Sequence, residues 1–381
     1  MNLQPHLHIV SFDVPYPPDY GGVAAVLHKI KSLHKEGVKI ILHCFNYGRG
    51  EAPQLEAFCQ EVIYYKRNTG LKGLRFLKPY IVSSRINKTL INNLNKDNAP
   101  IIFEGTHTTG IIPFLHNKQR KIVVRLHNIE ASYYKTLSFY EPKFLNKLYY
   151  KVEAFLLKKY ENKLFKSQNL CFYAINNDEA IYLKTIYPQI KVQFLPPFNG
   201  WELGVYKKDR GLYCLYHGNL SVAENIATVE YVLKNIVAKS KRNFVFAGKN
   251  PPAILVKKIH SYPNACIIES PDWYEMDELI QNAQICIIPS LGSHGVKLKL
   301  LHSLYLSKHC IVTQNVIAGT LLDGACVVTN TDAAMITEID AHMEIPFLEQ
   351  DWEHRREILA RNYNNKVNAQ KIILALHLHC Q

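Results

Sequence analysis

Residues able to hold an anion gather most densely around positions 289–302. Pro289-Ser290-Leu291-Gly292-Ser293-His294-Gly295 is a glycine-containing loop, and it feeds a helical pattern from Val296 to His302 with Lys297 and Lys299 near its start. The first turn of a helix carries backbone N–H groups without intrahelical partners and the positive end of the helix dipole, so it attracts phosphate. An ammonium beside it strengthens that attraction, and Lys297 is the residue placed to supply one. The other reading of either lysine is a surface charge. Positions two apart do not share a helical face, so one of the two is expected in solvent.

Three further loops have comparable chemistry. Pro15-Tyr16-Pro17-Pro18-Asp19-Tyr20-Gly21-Gly22 precedes a helix, and Gly21 and Gly22 would let backbone N–H groups approach an anion without a side chain in the way; a proline-shaped turn is the other reading. His127-Asn128-Ile129-Glu130 combines a titratable ring, an amide and a carboxylate. The set suits binding hydroxyls or moving a proton, while the plainer reading is an Asn or Glu capping the next helix. Gly218 and Asn219 in Tyr216-His217-Gly218-Asn219-Leu220-Ser221, with Lys249 in Ala247-Gly248-Lys249-Asn250, could line a second wall or be turns that need glycine.

Other chemistries lack their signatures. The sequence has no DxD pair, no GxGxxG or GxxxxGK(S/T) loop, no HExxH, no GxSxG and no clustered Cys/His set. No metal is therefore expected, and the dispersed histidines, including His377 and His379, read as incidental. Nine cysteines stand singly, several within apolar runs, which suggests buried, reduced thiols and a cytoplasmic setting. The polar N-terminus lacks the pattern of a secretory signal. A formal charge of +13 and a pI near 9.1 give a field that attracts phosphorylated molecules or an anionic membrane; no nucleic-acid module accompanies it.

The elements that position these loops are short apolar, β-branched runs alternating with helical patterns, the signature of parallel sheets covered by helices. Strands are predicted at 7–12, 38–45, 62–65, 101–104, 122–126, 170–175 and 192–195, then at 212–216, 244–246, 266–268, 285–288, 310–313 and 326–328. Two sheets suit so many strands better than one. Val23, Val26, Leu27, Ile30 and Leu33 mark the buried face of the first helix, with Gly37 as its stop. The expected division is a Rossmann-like domain over 1–198, a Pro/Gly-containing linker over 199–210, a second Rossmann-like domain over 211–350, and terminal helices over 351–381 that finish the second domain or cross back to the first.

In order and spacing, PYPPDYGG, RLHNIEASYY, YHGNLSVAENI, FAGK and IQNAQICIIPSLGSHGVKLKLLHSL resemble the retaining glycosyltransferases of the GT-B fold, over nearly the whole chain. The resemblance implies two α/β domains facing a cleft, with the acceptor on the first and the donor on the second. It implies a sugar moved from a UDP- or GDP-sugar to a glycan or lipid-linked acceptor in cell-surface polysaccharide or glycolipid synthesis, without a metal and with net retention.

By the same resemblance Gly21 and Gly22 approach the donor diphosphate, His127 stands by the transferred sugar, and Lys297 stands by the phosphates. Gly218, Asn219, Lys249 and Gly295 join the donor side; Asn128 and Glu130 are assigned to the acceptor. The chain departs from the family where two glutamates seven residues apart are usual, since His294 and His302 occupy those positions. Asn219 and Glu224 also stand near positions where an arginine and a lysine are common. These departures keep open a non-catalytic protein that binds a nucleotide or glycan, or an assembly partner; a sugar-nucleotide epimerase ranks behind both. Basic, aromatic stretches at 71–80 and 144–151 suit either contact with anionic lipid or a solvated helix face.

Overall fold

Among the described residues thirteen strands form where the apolar runs stand, because a parallel strand buried on both faces needs continuous Val, Ile, Leu and aromatic side chains. The structure, a computed structural model, describes residues 6–204, 206, 208–290 and 296–378. The strands are β1 His6–Ser11, β2 Lys39–Asn46, β3 Glu61–Lys66, β4 Ile101–Glu104, β5 Ile122–Leu126, β6 Leu170–Ala174 and β7 Lys191–Phe194, followed by β8 Cys214–Asn219, β9 Phe244–Lys249, β10 Ala265–Glu269, β11 Ile285–Ile288, β12 His309–Thr313 and β13 Val327–Thr329. The helices are α1 Gly21–Lys35, α2 Tyr80–Ser83, α3 Lys88–Leu94, α4 Glu130–Tyr140, α5 Phe144–Phe165, α6 Asn177–Ile186, α7 Ala223–Asn235, α8 Ala253–His260, α9 Trp273–Asn282, α10 Leu298–Leu306, α11 Gln314–Ile317, α12 Asp332–Glu344, α13 Glu349–Asn362 and α14 Asn365–Leu376.

The chain divides into two units, residues 1–200 with 363–381, and residues 201–362. Unit 1 holds a parallel sheet of order β3-β2-β1-β4-β5-β6-β7, and unit 2 one of order β10-β9-β8-β11-β12-β13. Strand order reverses between β1 and β4 in the first sheet and between β8 and β11 in the second. In open parallel sheets the crevice beyond the carboxyl ends at such a reversal is where ligands bind.

In unit 1 the face of α1 built from Val23, Val26, Leu27, Ile30 and Leu33 is buried, and Gly37, at a φ of 82°, ends the helix turn as expected. The terminal helical pattern breaks at Tyr363-Asn364 into α13 and α14. Asn364 caps α14 by accepting from the Val367 N–H, and α14 packs against α1 with Ala369, Ile372 and Leu376 buried in the shared core. Full burial of an aliphatic side chain such as Ile372 stabilises by about 1.5–3 kcal/mol. Asn199 and Asn365 exchange hydrogen bonds at the point where the chain re-enters unit 1.

In unit 2 the core between sheet and helices is formed by Tyr216, Val229, Val232, Phe244, Phe246, Ile285, Ile287 and Ile311. Most described cysteines are buried or half-buried and none is in a disulfide, but Cys266 is exposed because its edge strand β10 has neighbours on one side only. No described helix is long and apolar enough to cross a membrane.

Candidate functional site

Unit 1 builds its polar centre at the β1/β4 reversal. Glu104 ends β4, fully buried, and its carboxylate meets Lys29 from α1 and Nε2 of His127, the latter at 3.0 Å. Burial pushes the Glu104 carboxyl up, but Lys29 and then His127 reverse this and hold it down at about 2. Burial lowers Lys29 to about 8, which leaves the ammonium charged at neutral pH. Burial also lowers His127, so the ring is neutral. An ionised carboxylate can only accept, so the His127 proton resides on Nε2 and Nδ1 keeps its lone pair for a hydroxyl hydrogen.

His107 and Glu130 stand beside this group. Nδ1 of His107 and Oε1 of Glu130 are buried 3.9 Å apart, and neither has a hydrogen-bond partner. Burial, followed by the neighbouring Glu161, pushes Glu130 well above the usual carboxylate range. Neither Asn128 nor Glu130 caps α4. Its first N–H groups, those of Glu130 and Ala131, are held instead by the Glu161 carboxylate from α5 at 2.8 and 3.1 Å. The Phe12 ring lies between His107 and His127, with centroids 5.4 and 5.3 Å away.

The α1 start is pinned from outside. Arg49 bonds the Val14 and Pro17 carbonyls and pairs with Asp19, while the Tyr20 hydroxyl donates to Asp13. No side chain caps α1, whose first residue is the exposed Gly21. A Cβ on Gly22 would stand 2.9 Å from the tip of the Phe12 ring, which would have to shift to admit it.

At the β8/β11 reversal in unit 2, α10 begins without a side-chain cap, and Lys297 is its N-cap residue. Nζ of Lys297 lies 2.7 Å from Glu224 in the first turn of α7. Lys299 is also turned inward: its Nζ lies 3.1 Å from the Tyr216 hydroxyl, 3.3 Å from Asn225 Oδ1 and over the Tyr216 ring. Neither lysine is free in solvent. The expectation that one would be fails because Lys297 has extended backbone angles and helical spacing does not govern it. Burial, then repulsion from Lys297, lowers Lys299 to about 7.

His302 stacks on Trp201 with ring centroids 4.5 Å apart, and its Nε2 is 2.5 Å from Asp277 Oδ1. Asn219 spends its side-chain oxygen on Ser221, and Lys249 is exposed at the end of β9. Gly218 and Gly248 are not turn residues: they pair within β8 and β9, where a Cβ on Gly248 would fall 1.9 Å from the Gly218 carbonyl oxygen. His294 and Gly295 lie outside the described residues.

Residues 211–343 match the family described as glycosyl transferases group 1. A Klebsiella pneumoniae protein described as an uncharacterised protein in the cps region is 27% identical over 314 residues, 78% of this chain and 79% of that one. Among solved structures, a glycosyltransferase from Rickettsia africae aligns with a TM-score of 0.64 at 12% identity, over 99% of this chain and 98% of that one. A TarM variant from S. aureus, in complex with UDP and alpha-GlcNAc-glycerol among its ligands, aligns with a TM-score of 0.69 at 9% identity, over 98% and 100%. WaaG, a glycosyltransferase involved in lipopolysaccharide biosynthesis, gives 0.61 at 12%, over 98% and 100%.

The chain has the GT-B fold, and its second unit holds the segment that matches the group 1 glycosyl transferases. Within the matched segment, Lys297, Lys299, Glu224 and His302 lie beside the β8/β11 reversal. In unit 1 of the GT-B fold, His127 is joined by groups the sequence did not single out. Lys29 hides in the apolar face of α1, and its one local signal is a charge flanked by His28 and Ile30 on a helix otherwise buried there. Glu104 ends a wholly apolar strand, where a carboxylate is unexpected without a partner.

Proposed function

We propose that the chain transfers a sugar from a nucleotide-sugar donor, UDP- or GDP-linked, to a glycan or lipid-linked acceptor in cell-surface polysaccharide or glycolipid synthesis. The observation that carries this reading is the pair of inward-turned lysines at the uncapped start of α10. Lys297 pairs with the carboxylate of Glu224, while Lys299, lowered to about 7 by burial, is only partly protonated at neutral pH and would take up its full charge beside a diphosphate. As the donor bond breaks, the leaving diphosphate gains charge, which these ammonium groups and the helix N–H groups stabilise without a metal. Gly218, Asn219 and Lys249 border the same strand ends as parts of the donor subsite.

In unit 1 the neutral His127, fixed by Glu104, orients a sugar or acceptor hydroxyl through Nδ1. Asn128 and Glu130 belong to the acceptor side, where burial favours the protonated, hydrogen-bond-donating form of Glu130. Net retention is the stereochemical outcome we assign. The lipid-linked form of acceptor is favoured by exposed apolar residues beside lysines on α5, which suit peripheral contact with an anionic membrane from the cytoplasmic side. The cps-region location named for the K. pneumoniae relative supports the polysaccharide setting.

One observation favours the non-catalytic alternative. His302 already has Trp201 on its face and Asp277 on its edge, at a position the resemblance gives to a ribose-binding glutamate.

Calorimetric titration with a panel of UDP- and GDP-sugars, together with an assay of acceptor-free donor hydrolysis, separates the two. The transferase reading expects binding and slow turnover by the wild type, with Lys297→Ala weakening binding by about tenfold or more, the loss of one charge-assisted hydrogen bond. Binding without turnover in the presence of candidate acceptors supports the non-catalytic protein. No binding across the panel would sink the transferase reading.

A further inference from the structure

His6 and His8 are two apart on β1, so their side chains stand on one face of the sheet, at its amino-terminal edge and away from the β1/β4 carboxyl ends. Asp97, in the segment between α3 and β4, comes up to both. Its Oδ2 lies 2.9 Å from His6 Nε2 and 3.1 Å from His8 Nε2, while Oδ1 is occupied by Arg120 Nη2 at 3.0 Å and the Ala99 N–H at 2.9 Å. The two imidazole nitrogens and a carboxylate oxygen all lie within 4.8 Å of one another.

We propose that His6, His8 and Asp97 bind a divalent transition ion of zinc's preference, as a structural clasp that ties the start of β1 to the segment entering β4. Two imidazoles and one carboxylate form a donor set that suits Zn2+, with a water completing a tetrahedron. With metal–ligand bonds of about 2.0–2.2 Å, donor atoms in such a site stand about 3.3 Å apart. The two Asp97 contacts already approach that separation, and the third pair of donor atoms lies within 4.8 Å.

The surroundings supply what a ligating histidine requires. Nδ1 of His8 lies 2.9 Å from His43 Nε2, and Nδ1 of His43 lies 2.9 Å from the Tyr65 hydroxyl, which also accepts from Asn93 Nδ2. With Nε2 of His8 on a metal, its Nδ1 carries the proton and donates to His43, which donates in turn to Tyr65. Such an outer hydrogen bond fixes ring orientation and raises ligand basicity. Arg120 holds the second oxygen of Asp97 and leaves one oxygen for the ion.

The full chain, stripped with EDTA and dialysed, is titrated with Co2+ and followed by visible absorption, then back-titrated with Zn2+; thermal melting is recorded with and without Zn2+. The expected result is one Co2+ per chain with tetrahedral ligand-field bands, displaced by Zn2+, and a melting temperature raised by Zn2+. His6→Ala and Asp97→Asn each weaken binding by about tenfold or more and remove the melting shift. His6 is half-exposed, so His6→Ala decides the matter if Asp97→Asn fails to fold. Absence of binding by the wild type, or equal binding by His6→Ala, overturns the site; the latter would place the ion on other histidines.

Discussion

Oε2 of Glu104 lies 3.0 Å from Nε2 of His127 while its other oxygen pairs with Lys29, so one buried carboxylate fixes both a ring and an ammonium. Replacing it with an amide leaves Lys29 in the core without its counter-charge, a change that costs about 3–5 kcal/mol for buried pairs. It also frees His127 to take either tautomer. Glu104→Gln is expected to lower stability by that amount at pH 7 in urea unfolding and to reduce any turnover. The sign of the pH effect follows from a folded pKa of about 2 against an ordinary value of 4.5. The unfolded chain binds more protons in that window, so the stabilisation is complete above about pH 4.5 and is lost as the pH falls toward 2. The gap between wild type and variant should therefore narrow below pH 4.5. A variant as stable as wild type at neutral pH would refute the pairing.

Helix α5 carries Phe144, Leu145, Leu148, Val152 and Phe155 exposed, with Lys147 and Lys151 among them. Its Glu153 carboxylate accepts from the Tyr80 and Ile81 N–H groups at 2.9 and 2.8 Å, which docks α2 onto α5. The segment leading into α2 adds Leu71, Leu74, Phe76 and Leu77, all exposed, and the basic Lys72, Arg75 and Lys78. Apolar side chains that enter the headgroup region next to lysines attracted by anionic lipid make a membrane-resting surface. Each such lysine contributes about 1 kcal/mol near an anionic surface. Sedimentation with phosphatidylglycerol-containing vesicles should pull down the wild type, less so in high salt, and Lys147→Glu with Lys151→Glu should cut the bound fraction by about tenfold or more. Equal partition of the double variant would make this a solvated face.

The architecture was legible because buried parallel strands are written as local apolar runs. Ile101–Glu104, Ile122–Leu126 and Ile285–Ile288 fall where their residues predict. The misplacement at β8 has a physical cause: Gly218 and Asn219 look like a loop, yet they pair with Gly248 and Lys249, and the strand runs on through them. The site was legible only in its loops. His127 and Lys297 stand out by type and position, whereas Lys29–Glu104, Glu161 at the start of α4 and Trp201–His302 are contacts between distant segments that no spacing announces. Helical spacing also misled at Lys297 and Lys299, since the first of them precedes the helix. His6 and His8 alternate in a way that strand periodicity could have flagged, but their partners Asp97 and His43 come together only in the folded sheet.

Gly248 faces Gly218 across β8 and β9, and the two glycines are not equivalent. A Cβ on Gly248 would stand 1.9 Å from the Gly218 carbonyl oxygen and 2.9 Å from Leu220 Cγ, against backbone that cannot yield without opening the ladder. A Cβ on Gly218 would meet nothing nearer than Asn225 Nδ2 at 3.7 Å, an ordinary contact. Gly248 therefore owes its identity to close approach within the sheet, where a collision of that depth belongs to the rare class of changes above about 4 kcal/mol. Gly248→Ala is expected to leave unit 2 unfolded or the chain insoluble, while Gly218→Ala stays folded with a melting temperature near that of the wild type. Thermal melts of the two variants side by side test this, and equal melting temperatures would refute the steric assignment.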